Sequence, residues 1–412
     1  MRDPDVIIIG GGQSGLVMSR SLTALGVDHA VFERGRVGER WHAERWHSLH
    51  LLTTNAQSAL PGLPHTGDPQ AFLPASNFAS YLQSYAKRID APVLSGVEVK
   101  KVDRMGCDYR VSTNVGQWRS RAIVIATGAC DTPFRPPMAK ALAHSMSQLS
   151  PTDYRHPAQL PDGGVLVVGA SATGVQLAEE IHASGRPVML AVGDHTRMPR
   201  RYRDSDIFDQ LEVAGILDEP LQEGAKLTAA RRQPSLQLIG RFDSLDLGVL
   251  QRQGVRLVGR LAAMNDVKAE FSGDLASTVA ASHTRMVRTL DRIDDAIDVS
   301  GIERPPADPA VRAPLQLVSE PLTVDLRREG IRSVVWATGY RRCYPWLMPS
   351  VLDHHGDIEH SGGITPSPGL YVLGLTYLRR RRSSFINGCG LDADELAPFV
   401  KAHLDQLANR VA

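Results

Sequence analysis

Apolar residues along this chain gather in short continuous runs rather than in strict alternation. The first, Val6–Ile9, stops at Gly10-Gly11-Gly12-Gln13-Ser14-Gly15. Leu16, Val17, Met18 and Leu22 then recur at helical spacing, and Ala30-Val31-Phe32 forms a second run closed by Glu33. This reads as strand, tight turn, helix, strand. The same order returns later: an apolar run at 165–168, Gly169-Ala170-Ser171-Ala172-Thr173-Gly174, a helical stripe through Val175, Leu177, Ala178 and Ile181, and a run at 188–192. A second element is also duplicated. Ala122-Ile123-Val124-Ile125-Ala126-Thr127-Gly128 and Ser333-Val334-Val335-Trp336-Ala337-Thr338-Gly339 are both apolar strands ending in Ala-Thr-Gly.

The order glycine loop, Ala-Thr-Gly, glycine loop, Ala-Thr-Gly, last strand at 370–373 predicts one dinucleotide-binding domain nested in another. The expected architecture is α/β, with two Rossmann-like domains in a glutathione-reductase-like FAD/NAD(P) arrangement. Its expected boundaries are 1–155 (first part of the FAD domain), 156–312 (the inserted NAD(P) domain) and 313–412 (the rest of the FAD domain). Within the inserted domain, Val267, Phe271, Leu275, Val279, Met286, Leu290, Ile293 and Ile297 predict a helical insert over 265–300. That insert can roof a substrate cavity, form the face of a homodimer, or simply be core. The Pro-rich stretch 304–314 reads as a linker back to the first domain.

Composition narrows the class. The chain has 412 residues, 42% hydrophobic and 22% charged, enough apolar material for packed domains and too much for a disordered chain. A formal net charge of +1 gives no global field for nucleic acid or an anionic membrane. The four cysteines, Cys107, Cys130, Cys343 and Cys389, include no Cys-x-x-Cys, so sequence spacing suggests neither a dithiol centre nor a zinc site. His42, His47 and His50 are poorly spaced for a metal, and no metal is expected. No run approaches the ~18 apolar residues of a membrane span, and the start Met-Arg-Asp-Pro-Asp lacks a basic leader; a cytoplasmic protein is the expectation.

In a G-x-G-x-x-G loop the first Gly makes the bend, the second lets backbone approach a pyrophosphate, and the third packs helix on strand. Gly10, Gly12 and Gly15 meet these demands, with Gln13 and Ser14 opening the helix whose N-terminus faces the phosphates. Glu33 can accept from ribose hydroxyls and repels a 2′-phosphate, so the first site suits FAD or NAD(H). In the second loop Ser171 stands between Gly169 and Gly174, with Ala172 and Thr173 opening the helix. No acid ends its second strand. Arg197, Arg200, Arg201 and Arg203 follow, and Arg197 and Arg200 are candidates to clamp the 2′-phosphate of NADPH, with NADH the alternative because Asp194 lies beside them. The turns at Thr127-Gly128 and Thr338-Gly339 are placed to line the two cofactors. Arg379-Arg380-Arg381-Arg382 reads either as an anion site or, preferably, as a solvated loop.

Gly38-Glu39-Arg40-Trp41, Trp46-His47-Ser48-Leu49-His50-Leu51, Thr54-Asn55, Leu60-Pro61-Gly62-Leu63-Pro64, Gly369–Leu375 and Asp153-Tyr154-Arg155-His156-Pro157 together resemble the class B flavin-dependent monooxygenases, a flavin-containing monooxygenase superfamily, and a small bacterial subgroup of it. The resemblance spans nearly the whole chain. It implies FAD contacts at Arg34, Arg40, Trp41 and Gly374, a flavin-side role for Asn55, and a nicotinamide-side or packing role for Tyr154. It implies a reaction in which NADPH reduces FAD, oxygen is held as a C4a-(hydro)peroxide, and one oxygen atom passes from O2 to a small organic substrate. Asn55 would donate a hydrogen bond to the peroxide, or be an ordinary turn residue. The family signature Phe-x-Gly-x-x-x-His-x-x-x-aromatic keeps only its aromatic end here: His144, Met146 and Ser150 stand where Phe, Gly and His belong. Val192 stands where the plant auxin-forming relatives carry Arg. Two alternatives follow: an NAD(P)H oxidase or reductase passing electrons to oxygen or a quinone without insertion, and a non-catalytic nucleotide-binding redox sensor.

Overall fold

A computed structural model describes residues 3–220, 235–318 and 321–411. Two five-stranded parallel sheets organise it. The first runs Leu370–Val372, Ala122–Ile125, Val6–Ile9, His29–Glu33, Val93–Ser95. The second runs Ser147–Leu149, Ile331–Trp336, Gly164–Val168, Val188–Ala191, Arg256–Val258. Written this way the two orders match position for position. Each glycine-loop strand is flanked by its Ala-Thr-Gly strand on one side and the second strand of its unit on the other. Val6–Ile9 and Gly164–Val168 are buried at every residue, as expected of parallel strands covered on both faces, which explains their unbroken apolar sequences.

The match extends to the connection that precedes each Ala-Thr-Gly strand. In the first unit it is an antiparallel meander of Val99–Met105, Asp108–Thr113 and Gly116–Ser120. In the second it is Leu261–Asn265, Lys268–Phe271 and Thr323–Asp325. An excursion between the second and third of these strands contains the helix Leu275–Ser300.

This corrects three expectations. The stretch 265–300 is not helical throughout: Ala269 and Phe271 are buried between exposed Lys268 and Glu270, a period of two that makes a strand. The Pro-rich stretch does not return the chain to the first sheet, because it leads to Thr323–Asp325, paired with Lys268–Phe271. The second sheet also takes strands from 147–149 and 331–336, both outside the expected 156–312. The chain therefore crosses between the sheets after Ala122–Ile125 and again after Ile331–Trp336.

The helix Leu275–Ser300 buries Val279, Ser282, Met286, Leu290, Ile293 and Ile297, spaced by three and four residues. The apolar members from Met286 onward pack against Met198, Tyr202, Ile207, Phe208 and Leu211, so this stripe is core. Among the described residues no helix is long and apolar enough to cross a membrane.

Candidate functional site

The two glycine loops share the same close contacts at their first and last glycines. Gly10 and Gly169 hold positive φ, +116° and +107°, and a Cβ on either would lie 2.5 Å from the Ala126 carbonyl oxygen or 2.3 Å from that of Ala337. Thus each Ala-Thr-Gly turn clamps the first glycine of its own loop, which explains why both elements are duplicated together. A Cβ on Gly15 would fall 1.9 Å from the Gly10 carbonyl, and one on Gly174 1.8 Å from that of Gly169. Helix and strand can pack this closely only through glycine. Gly12 is different. Its backbone is extended, and a Cβ there would meet nothing within 4 Å. The space in front of it, at the N-terminus of the helix Gln13–Ala24, is where a pyrophosphate fits. Ser171 takes the equivalent N-terminal position on Ala172–Ala183, again without a side-chain cap, so the first amides of Ala172 and Thr173 stay available.

Glu33 ends its strand almost buried. Its carboxylate accepts from the Gly11 amide at 2.7 Å and the Gly35 amide at 2.9 Å, which fixes its orientation beside the loop. Each oxygen keeps a lone pair for a ribose hydroxyl. Arg34 points outward to Glu44 at 3.4 Å. The Arg40 guanidinium reaches the Cys130 carbonyl and the Asp131 carboxylate. Trp41 stands edge-on to Phe78 with ring centres 4.9 Å apart, while the Arg45 guanidinium lies 5.1 Å from the Trp41 ring. Thr127 and Gly128 follow the Gly10 clamp. Thr338 donates to the Phe134 carbonyl, and the Gly339 carbonyl accepts from the Phe134 amide at 2.9 Å. Gly374 packs so closely on Ser14 that a Cβ would lie 2.2 Å from its hydroxyl oxygen. The first loop is thereby joined to the closing strand and to the helix Cys389–Val411 beyond it.

Asn55 and Tyr154 both sit buried, each with a polar atom that no protein group partners. The Asn55 side-chain amide donates to the Asp68 carbonyl at 2.9 Å; exchanging its oxygen and nitrogen would set two oxygens together, so that orientation stands. What Asn55 offers is a buried Oδ1 without a protein partner, beside the equally orphaned Thr54 hydroxyl. Tyr154 is fully buried among the apolar side chains of the second unit, with its hydroxyl facing Glu180 but completing no hydrogen bond. Burial and the nearby Glu180 carboxylate push the phenol upward, so it stays protonated. Glu180 accepts from Ser48 at 2.7 Å across the seam between units, and burial holds its carboxyl above the ordinary range. The packing role of Tyr154 is the one the structure supports. Ser150, at the lost signature histidine, donates from its amide and hydroxyl to Asp153 and accepts from the Tyr154 amide, so it closes a local turn.

Arg197 and Arg200 also need correction. Arg200 is completely buried. It donates to the Leu52 carbonyl at 2.7 Å and pairs with Asp206, between the rings of Phe72 and Phe208. Arg197 is paired with Asp246 at 3.0 Å and donates to the Ala313 carbonyl. Arg200 is thus enclosed by its own partners, while Arg197 borders a cleft. The cation beside the tip of the second strand is Arg260. The Gly193 backbone follows the Val188–Ala191 strand, and a Cβ there would stand 3.6 Å from the Arg260 guanidinium. Arg260 pairs with Asp194 at 3.2 Å, both side chains at least half exposed. Sequence reading missed Arg260 because it lies just past the neighbouring strand Arg256–Val258, whose pairing with Val188–Ala191 is visible only in the sheet. The run Arg379–Arg382 is not solvated either. Its members pair with Glu395, Asp392, Glu219, Glu212 and Asp218, and so tie the final helix to the 207–219 region.

A polar seam joins these pieces. The Gln57 amide donates to Asp209 at 3.1 Å and Glu212 at 2.8 Å, and its oxygen accepts from Asn387. Burial, aided by Asp206 and Glu212, pushes the Asp209 carboxyl up against the pull of Gln57. Among the described residues, no group of three or more His, Cys, Asp or Glu side chains could hold a metal. A cleft of about 600 Å³ lies beside Arg197, Asp246 and Met286, but it touches neither glycine loop.

A profile of the pyridine nucleotide-disulphide oxidoreductase family matches residues 7–226. An oxidoreductase of Geobacillus kaustophilus, CzcO-like, is 28% identical over 403 residues, covering 97% of this chain and 99% of that protein. Indole-3-pyruvate monooxygenase YUCCA1 of Oryza sativa is 24% identical, over 90% of this chain and 87% of that one. Among solved structures, the flavin-containing monooxygenase of Stenotrophomonas maltophilia superposes with a TM-score of 0.68 at 20% identity, over 98% of this chain and all of that one (100%).

Proposed function

Because the chain belongs to the pyridine nucleotide-disulphide oxidoreductase family and is a flavoprotein oxidoreductase, we propose that it is an FAD- and NADPH-dependent monooxygenase of a small organic substrate. The observation that carries this reading is the duplicated cradle: two loops of one geometry, in one chain, each with a helix N-terminus free for phosphate. The loop with Glu33 at its strand end is assigned to FAD and the loop beside Arg260 to the nicotinamide. Residues before the first crossing and after the second make the FAD unit; those between make the nicotinamide unit. A bound FAD would supply acceptance of hydride from the nicotinamide and transfer of electrons to oxygen.

The chain's own residues hold and orient. The Gln13–Ala24 helix N-terminus supports the FAD pyrophosphate, and Glu33 accepts from its ribose. Ser14 and Gly374 bring the closing strand against the loop. The buried orphaned oxygens of Thr54, Asn55 and Asn387 face a polar ligand or water, since a buried acceptor left unpaired costs about 1–3 kcal/mol. Product analysis under ¹⁸O-labelled oxygen, with hydrogen peroxide measured alongside, tests the reading across amine, sulfide, ketone and indole substrates. Label in an oxygenated product, with little peroxide, is expected. All consumed oxygen emerging as peroxide would overturn it in favour of electron transfer without insertion.

The same assignment fixes how NADPH and NADH are told apart. Arg260→Ala should weaken NADPH binding ~10-fold, the loss of one charge-assisted contact, and leave NADH within a factor of about 2. Asp194→Asn should tighten NADPH and weaken NADH, because it removes a carboxylate that repels a 2′-phosphate and accepts from a 2′-hydroxyl. Dissociation constants from calorimetry check this, and equal losses for both nucleotides in the Arg260 variant would remove Arg260 from the 2′-position.

A further inference from the structure

We propose that Cys130 and Cys343 form a reversible dithiol–disulfide site at the place where the chain crosses between its two units. In sequence these residues are far apart and show no redox spacing. The fold brings their segments together. Thr132–Pro133 lies on the first crossing and Tyr340–Arg341 on the second, and they pair antiparallel, Thr132 with Arg341 and Pro133 with Tyr340. The Phe134 amide extends the same register by donating to the Gly339 carbonyl at 2.9 Å. The paired residues end at Thr132 and Arg341, and carrying the same register two residues further sets Cys130 opposite Cys343.

Contacts beyond the ladder hold the strands together at that point. The Cys343 amide reaches the Asp131 carboxylate at 3.4 Å, and Arg40 grips both that carboxylate and the Cys130 carbonyl. Directly opposed residues of an antiparallel pair have Cα atoms roughly 4.5–5.5 Å apart and side chains on one face. That lies inside the ~4.4–6.8 Å span that a disulfide bridges. Both thiols are free and exposed. The other two cysteines cannot compete. Cys389 is buried, with its thiol pushed up to about 12 by burial, and Cys107 lies in the turn between Val99–Met105 and Asp108–Thr113, in the meander rather than on a crossing.

The oxidant is hydrogen peroxide. One thiol attacks it and becomes a sulfenic acid as the O–O bond breaks and one water leaves. The second thiol then displaces the sulfenic oxygen, forming the S–S bond and releasing a second water. Two electrons pass from the sulfur pair to peroxide, and both thiol protons end in water. The bond ties the two crossings covalently where a short ladder, the Asp131–Cys343 contact and the contacts of Phe134 with Thr338 and Arg341 now join them. It rests on strand register and not on the assignment of the cofactors.

The full-length protein, treated with a small excess of hydrogen peroxide, digested without reductant and analysed by mass spectrometry, provides the test. The expected result is a Cys130–Cys343 linked peptide, lighter by two hydrogens than its parts and abolished by dithiothreitol. Cys343→Ser should give no linked peptide and leave Cys130 as a sulfenic acid trapped by dimedone; Cys130→Ser should do the converse. Recovery of the two cysteines from wild type only as free thiols, or only as unlinked sulfinic and sulfonic acids, would overturn the proposal. So would linkage of either one to Cys107 in preference.

Discussion

A Gly12→Val protein should fold normally and purify without flavin. The backbone at Gly12 is extended, a conformation any residue adopts, and a Cβ there meets no protein atom within 4 Å. The added methyl groups therefore occupy only the space in front of the helix N-terminus that the pyrophosphate requires. Displacing the phosphates removes their contacts with the first amides and the helix dipole, and the expected loss of FAD affinity is at least ~100-fold, about 3 kcal/mol. Circular dichroism and the flavin absorbance of the reconstituted protein check both halves. Gly15→Ala is the useful contrast, because its Cβ would lie 1.9 Å from the Gly10 carbonyl and must disturb the fold itself. A flavin-loaded Gly12→Val protein would mean that the first loop does not hold the cofactor.

Arg200→Met should destabilise the protein by about 3–5 kcal/mol, because it strands a buried Asp206 that Arg200 now neutralises. The Asp206 carboxylate would keep only the Phe208 amide that it caps, and the Leu52 and Ile239 carbonyls would lose their donor. Replacing both members of the pair with apolar residues of similar size should recover much of the loss, since the ion pair itself gains little over packed hydrocarbon. Urea unfolding measures the effect. In the folded fraction, nicotinamide affinity should be unchanged. A variant of normal stability that binds NADPH poorly and NADH well would restore Arg200 to the phosphate-clamping role its sequence position suggests.

These two residues show which parts of the account could be read from sequence. A G-x-G-x-x-G loop is a local object in sequence: strand, turn and helix are consecutive, and its last glycine packs on the carbonyl of its first. Both loops and both Ala-Thr-Gly strands were therefore legible, as was the acid at Glu33. Arg200 was misjudged because a charge in sequence does not declare its partner. Asp206 lies only six residues away, yet only the turn at Arg201–Asp206 and the rings of Phe72 and Phe208 make the pair internal. The boundaries failed for a related reason. Ser147–Leu149 is a short strand with one apolar residue and Ile331–Trp336 an ordinary apolar one, and their allegiance is settled by their pairing with each other and by that of the latter with Gly164–Val168. Val267 and Phe271 fit a helical stripe as well as a strand, since a short apolar pattern satisfies both periods. Asn55 stands in sequence as a polar residue of the flavin-side segment, but its contact with the Asp68 carbonyl runs through a loop no periodicity predicts.

The central claim is that one chain binds two dinucleotides and passes hydride between them. Anaerobic addition of NADPH to the FAD-reconstituted protein tests it most directly, by following the flavin absorbance near ~450 nm, where the oxidised cofactor absorbs. The account predicts that the yellow colour bleaches with one equivalent of NADPH per flavin and returns when oxygen is admitted. A protein that retains its colour under excess NADPH and NADH, or that never takes up flavin, would contradict it.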